Sequence, residues 1–99
     1  MTKEQSCLLL SVTAVNIQPT RTGITIKPIG VKSGDILKAL EGSSLWAEWK
    51  STHGVNPILI RDQIDLSGFP LGGKSLERIK RHFIESLHII AAKGLTAYL

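Results

Sequence analysis

The chain has one cysteine, Cys7, so no intramolecular disulfide can staple it, and its 99 residues are enough to fold on a core alone. A reducing setting, the cytoplasm, is the simpler expectation. No apolar run approaches the roughly eighteen residues that a membrane span requires. The longest, Leu8–Leu10 and Ile89–Ala92, are far shorter, so no membrane partner is expected. Residues 7–15 have the apolar character of a secretion signal's centre. Ser11 and Thr13 interrupt them, however, and Lys3 and Glu4 cancel ahead of them, so the stretch reads as part of the fold. No repeat, low-complexity tract or long Pro/Gly/Ser linker divides the chain, and residues 1–99 are expected to form one domain.

Several chemistries lack their residues. His53, His82 and His88 are not spaced i,i+3 or i,i+4, and no cysteine joins them, so no metal or other cofactor set is readable. Cys7 stands beside Leu8–Leu10, where a buried, inert thiol is expected rather than a nucleophile. With no nucleophile and base in readable combination, a non-enzymatic protein is the expectation.

What is present is positive charge. Twelve Lys and Arg face eight Asp and Glu, a net of +4. Residues 1–49 hold five cations and four anions, whereas residues 50–99 hold seven and four, so the surplus is C-terminal.

Hydrophobic periodicity gives the elements. Over residues 7–18, Leu8, Leu10, Val12 and Ala14 alternate with Ser11 and Thr13, which predicts a strand. The phase then moves to Val15 and Ile17, as a bulge near Ala14–Val15 would require. Pro19-Thr20-Arg21-Thr22-Gly23 is a turn, and Ile24 and Ile26 alternate beyond it, so the first thirty residues predict a β-hairpin. Ser33 is placed to cap a short helix with Asp35 in its first turn and Ile36, Leu37 and Leu40 on one side, ending at Gly42. Ser43 or Ser44 caps a second, carrying Leu45, Trp46 and Trp49. From Pro57, Ile58, Ile60, Ile64 and Leu66 share one strand face, and Asp62, on that same face, marks a bend because an unpaired buried carboxylate is costly. Ser75 to Lys93 predicts the longest helix, with Leu76, Ile79, Phe83, Leu87 and Ile90 as its apolar stripe and Gly94 as its stop. The order β-β-α-α-β-α predicts an α+β fold: a small antiparallel sheet, with residues 95–99 as a possible fourth strand, packed by one long C-terminal helix.

Gly68 to Ser75 satisfies the phosphate-loop pattern G-x-x-x-x-G-K-[ST] between a predicted strand and a predicted helix. Such a loop also needs a later strand delivering an acidic metal partner and a parallel sheet. Only 24 residues follow Ser75, mostly one helix, so working phosphate-loop chemistry is not expected.

A more physical feature survives. Lys74, Arg78, Lys80 and Arg81, opposed by Glu77 alone, crowd the positive end of the last helix, where stability by itself would favour acids. An anion docking on Gly72, Gly73, the Ser75 cap and these side chains would explain the placement, and Arg61 and Lys50 would extend the patch. Nucleic acid, or a nucleoprotein complex, is the natural partner. The open alternative is a solvated face whose self-repulsion costs roughly a few tenths of a kcal/mol.

A second class is a protein-interaction module, an inhibitor, adaptor or immunity-like protein, or a homodimer. Its surface would be the C-terminal apolar excess, Ile89, Leu95, Tyr98 and Leu99, together with the pair Trp46 and Trp49. For the tryptophans, packing on the sheet is the competing role; for residues 95–99, a strand folding back over the helix end.

Overall fold

The computed structural model describes residues 2–41, 43, 47, 50–51, 54, 56–67 and 75–96. In these the chain is α+β, with seven elements: helix α1 (Lys3–Leu10), strands β1 (Val15–Pro19) and β2 (Gly23–Pro28), helix α2 (Ser33–Glu41), strands β3 (Asn56–Ile60) and β4 (Gln63–Ser67), and helix α3 (Leu76–Thr96). The strands form one antiparallel sheet in the order β1-β2-β4-β3. Its inner face carries Val15, Ile24, Ile26, Ile64 and Leu66, all buried against the helices.

The hairpin forms, but only from Val15. Residues 3–10 are helix α1 instead of strand. The reason is a capping box: the Thr2 hydroxyl accepts the Gln5 N–H at 3.1 Å, while the Gln5 side chain accepts the Thr2 N–H at 2.9 Å. Ser11 ends the helix, its hydroxyl donating to the Leu8 carbonyl. The change of apolar phase near Ala14 therefore marks the passage from helix to strand, not a bulge. Helical spacing turns Ser6 and Leu9 inward and leaves Cys7 exposed, which overturns the expectation of a buried thiol. So short a helix depends on tertiary packing, which α1 finds mainly against α3.

The predicted strand from residue 58 to 66 is two strands. Arg61 and Asp62 adopt φ of 50° and 59°, and the two-residue turn they form between Ile60 and Gln63 is of type I′. The bend expected at Asp62 is therefore there. Folding reverses which residues share a face: Leu59 lies beside Ile64 and Pro57 beside Leu66 on the inner face. Ile58 and Ile60, expected to face inward with Ile64 and Leu66, sit on the outer face instead.

This turn also fixes α2. Ser33 is not a free cap but a fully buried first residue, whose hydroxyl donates to the Asp62 carbonyl at 2.6 Å. The Ser33 N–H donates in turn to the Asp62 carboxylate at 3.3 Å, so the helix start is capped from the turn rather than from within. Ile36, Leu37, Ala39 and Leu40 form the buried stripe. Gly42, the expected stop, and most of the second short helix lie outside the described residues. Ala47, Lys50 and Ser51 within it have helical backbone.

Helix α3 follows its predicted stripe, burying Ile79, Phe83, Leu87 and Ile90, with Ala91 added. It runs through Gly94 to Thr96, so Gly94 is a helical residue and not the stop. Leu95 therefore belongs to α3, and the fourth strand of the sheet comes from the β3–β4 fold. His88 joins α3 to the α1–β1 connection: its Nε2 lies 2.7 Å from the Val12 carbonyl oxygen, a contact that needs the hydrogen on that nitrogen. Among the described residues no helix is long and apolar enough to cross a membrane.

The double role of Asp62 sets an order of losses in urea unfolding. Asp62→Asn is expected to lose least, Asp62→Gly about 1 kcal/mol for the cap, and Asp62→Ala about 2 kcal/mol because left-handed backbone strain is added. Equal losses for Gly and Ala would show that the left-handed turn is not held in solution.

Candidate functional site

The cations of the last helix are close together in sequence but not on one face. Helical residues advance about 100° each, so Arg78 and Lys80 lie roughly 160° apart around α3, with Arg81 between them. Arg78 and Arg81 are exposed, whereas Lys80 lies lower on the flank toward β1. Its Nζ is 3.4 Å from the Glu77 carboxylate, an i,i+3 surface pair of small energetic worth. One cation of the expected cluster is thus partly neutralised, and another points elsewhere.

Ser75 has a defined role. Its hydroxyl accepts the Arg78 N–H at 3.2 Å and its carbonyl accepts the Ile79 N–H at 3.1 Å, which makes it the cap of α3. Gly72, Gly73 and Lys74 lie outside the described residues. The sheet is antiparallel in every described pairing, unlike the parallel sheet in which a phosphate loop works.

Arg61 does not join the α3 cations. It stands at the end of β3, the edge opposite β1, which is the strand against which α3 packs. Three strand spacings, roughly 14 Å, separate the two edges. Lys50 is half-buried, and its carbonyl accepts the Gly54 N–H at 2.9 Å.

What the fold does bring together are cations from distant parts of the chain. A groove of about 410 Å³ runs between β1 and α3, lined by Val15, Asn16, Ile29, Lys80, Arg81 and Glu85 among others. A second, of about 480 Å³, adjoins it and shares Asn16 and Ile29, with Lys27 and Lys32 on its walls. Lys27 and Lys32 therefore line one groove and Lys80 and Arg81 the groove that adjoins it, where among the described residues the carboxylates are Glu77 and Glu85. Ile29, 52% exposed, is an apolar wall common to both grooves.

Lys27 and Lys32 were not among the sequence candidates. Lys27 alternates with Ile24 and Ile26 and so had to face outward. That it lines a groove adjoining the one Arg81 lines depends on the register Asn16 to Lys27 and on α3 docking along β1, neither of which is local.

The apolar candidates divide as well. Ile89 is 51% exposed on α3, and Leu95 is half-buried near its end. Trp46, Trp49, Tyr98 and Leu99 lie outside the described residues. Sequence reasoning placed Ile58 and Ile60 in the core, yet they are 46% and 49% exposed, as is Leu59 at 46%, all on the edge strand β3.

The capping role of Ser75 is open to a direct check. Ser75→Ala is expected to cost about 1 kcal/mol in thermal or urea unfolding, while Ser75→Asp, which keeps an acceptor at the helix start, retains stability. Equal destabilisation by both would remove the cap from the account of α3.

Compared with protein-family models, curated proteins and solved structures, the chain matches none, and its function is to be read from its own surface.

Proposed function

We propose that this chain is a small, non-catalytic binding protein that docks on nucleic acid, alone or within a nucleoprotein complex, through the groove between β1 and α3 and the groove that adjoins it. The observation that carries the reading is the placing of Lys27, Lys32, Lys80 and Arg81 on two adjoining grooves that, among the described residues, hold two carboxylates. An extended polyanion complements such a channel, because each phosphate neutralised by a Lys or Arg releases condensed counterions. Lys27, Lys32 and Arg81 are the contacting groups. Lys80 contributes less while it holds Glu77. Asn16 adds an amide at the junction of the grooves, and Ile29 an apolar surface for sugar or base. These contacts position a backbone and carry no readable sequence preference. The exposed, unpaired thiol of Cys7 suits a reducing, cytoplasmic setting.

This moves the favoured surface from the end of α3 to its flank. Arg78 on the crown of the helix and Arg61 on the far edge become peripheral.

A second reading, a protein-interaction module, is favoured by a separate observation: the half-exposed run Ile58, Leu59 and Ile60 on an edge strand.

Fluorescence anisotropy of labelled single-stranded and duplex oligonucleotides across a salt series tests the first reading. The variant Lys27→Ala/Lys32→Ala/Arg81→Ala is expected to bind about 10–100-fold more weakly at low salt and to lose about 2 to 3 from the slope of log K against log salt. Lys93→Ala, about 18 Å along the helix from Arg81, should change little. Wild-type binding that survives the triple substitution with its slope intact would remove the depression as the site.

A further inference from the structure

Among the described residues β3 is an outer strand of the sheet, and its backbone shows which groups face away from β4. Because a two-residue turn joins β3 to β4, Ile60 and Gln63 are a hydrogen-bonded pair, and the alternation makes Ile58 and Asn56 bonded to β4 as well. The peptide groups of Pro57 and Leu59 therefore point away from β4. Proline has no N–H, so along this strand the single outward donor is that of Leu59. An edge with one complete donor–acceptor set beside a proline is a poor template for a long added strand. It suits a short contact centred on Leu59.

The side chains point the same way. The inner-face row Ile17, Ile26, Ile64 and Leu59 crosses all four strands. It is buried in its middle but runs out half-exposed at Leu59, which otherwise lies close to Gly34 of α2. On the outer face Ile58 and Ile60 stand exposed beside Asp65 and Gln63.

We propose that β3 pairs antiparallel with β3 of a second copy of this chain, about a two-fold axis at Leu59, so that two four-stranded sheets become one. In that register Leu59 meets its own copy and completes both outward hydrogen bonds. Ile58 stands opposite Ile60 of the other copy, twice, so each exposed apolar side chain of β3 gains an apolar neighbour across the axis. The missing N–H of Pro57 falls opposite Arg61, the first turn residue beyond the partner's β3, where it costs least.

Charge selects this edge and this occupant. Residues 56–60 carry no charge in a chain of net +4, so two copies meet here without opposing like charges. At the β1 edge Lys27, Lys32, Lys80 and Arg81 would confront one another. The contact is small: five residues a side lie well below the roughly 1,200 Å² of a standard stable interface, so the dimer is weak and concentration-dependent. It stands apart from the nucleic-acid reading, since self-association is measured with no nucleic acid present.

The test is sedimentation of the full chain from about 10 to about 500 µM, the range in which a contact this small is populated. Two double variants, Ile58→Lys/Ile60→Lys and Ile58→Glu/Ile60→Glu, place like charges across the axis on exposed positions, and circular dichroism checks their folding. Wild type is expected to pass from monomer to dimer. Each variant alone should associate more than about tenfold more weakly, and an equimolar mixture of the two should dimerise again, Lys facing Glu. A wild type monomeric throughout, a lysine variant that dimerises like wild type, or a mixture that stays monomeric would each overturn the proposal.

Discussion

Asp62 ties together the two halves of this fold that are far apart in sequence. Its left-handed backbone closes the β3–β4 turn, its carbonyl accepts the Ser33 hydroxyl, and its carboxylate accepts the Ser33 N–H at the start of α2. A helix start buried under a sheet has amides that cannot reach water, so their partner has to come from the protein. Here it comes from residues 29 positions away. Once that contact is made, the direction of α2 along β2, β4 and β3 is constrained and Leu59 is brought against Gly34. The turn thereby decides which residues of β3 are core and which are surface.

The other corner of the molecule depends on α3 lying against α1 and β1. Leu9 and Val12 enter the core beside Phe83 and Leu87, and His88 supplies a donor to the Val12 carbonyl where the chain leaves α1 for β1. This docking creates the depression, since a helix laid along an edge strand leaves a furrow between its flank and the strand. The flank contributes Lys80 and Arg81, β1 contributes Asn16, and the β2–α2 connection contributes Ile29 here and Lys32 in the adjoining groove. Charge that was diffuse in the sequence becomes local through packing.

Where hydrophobic period was strong, the sequence was legible. The stripe Ile79, Phe83, Leu87 and Ile90, the stripe of α2, the hairpin turn at Pro19–Gly23 and the α+β class all followed from it. It failed where two periods coexist or where a distant contact decides. Leu8, Leu10, Val12 and Ala14 alternate like a strand, but Thr2-x-x-Gln5 is a capping box whose reciprocal bonds start a helix at Lys3. Arg61-Asp62 lacks the Asn-Gly signature of a tight hairpin, so the alternation through it read as one strand. Gly94 reads as a helix stop, yet α3 continues through it to Thr96. The site was half legible: Arg81 and Lys80 were named, while Lys27 and Lys32 required the register of β1 with β2 and the docking of α3. The crowding of cations at residues 74–81 was visible, but the 100° step of the helix spreads it around the axis.

The strand order has a consequence for both surfaces. In the order β1-β2-β4-β3 the two hairpins pair through their second strands, which leaves their first strands, β1 and β3, as the edges. Each edge must be kept from indiscriminate pairing. β1 ends in Pro19 and is flanked by α3 and by lysines, a basic rim that repels another copy of the same chain. β3 instead relies on its shortness and on Pro57, and it carries no charge between Asn56 and Ile60. Pairing two copies through β3 would bury the uncharged edges at the centre and set the two basic rims at opposite ends of an eight-stranded sheet. Were the grooves to bind a polyanion as proposed, holding two of them at a fixed separation on one sheet would let a weak single-site affinity act twice on the same polymer.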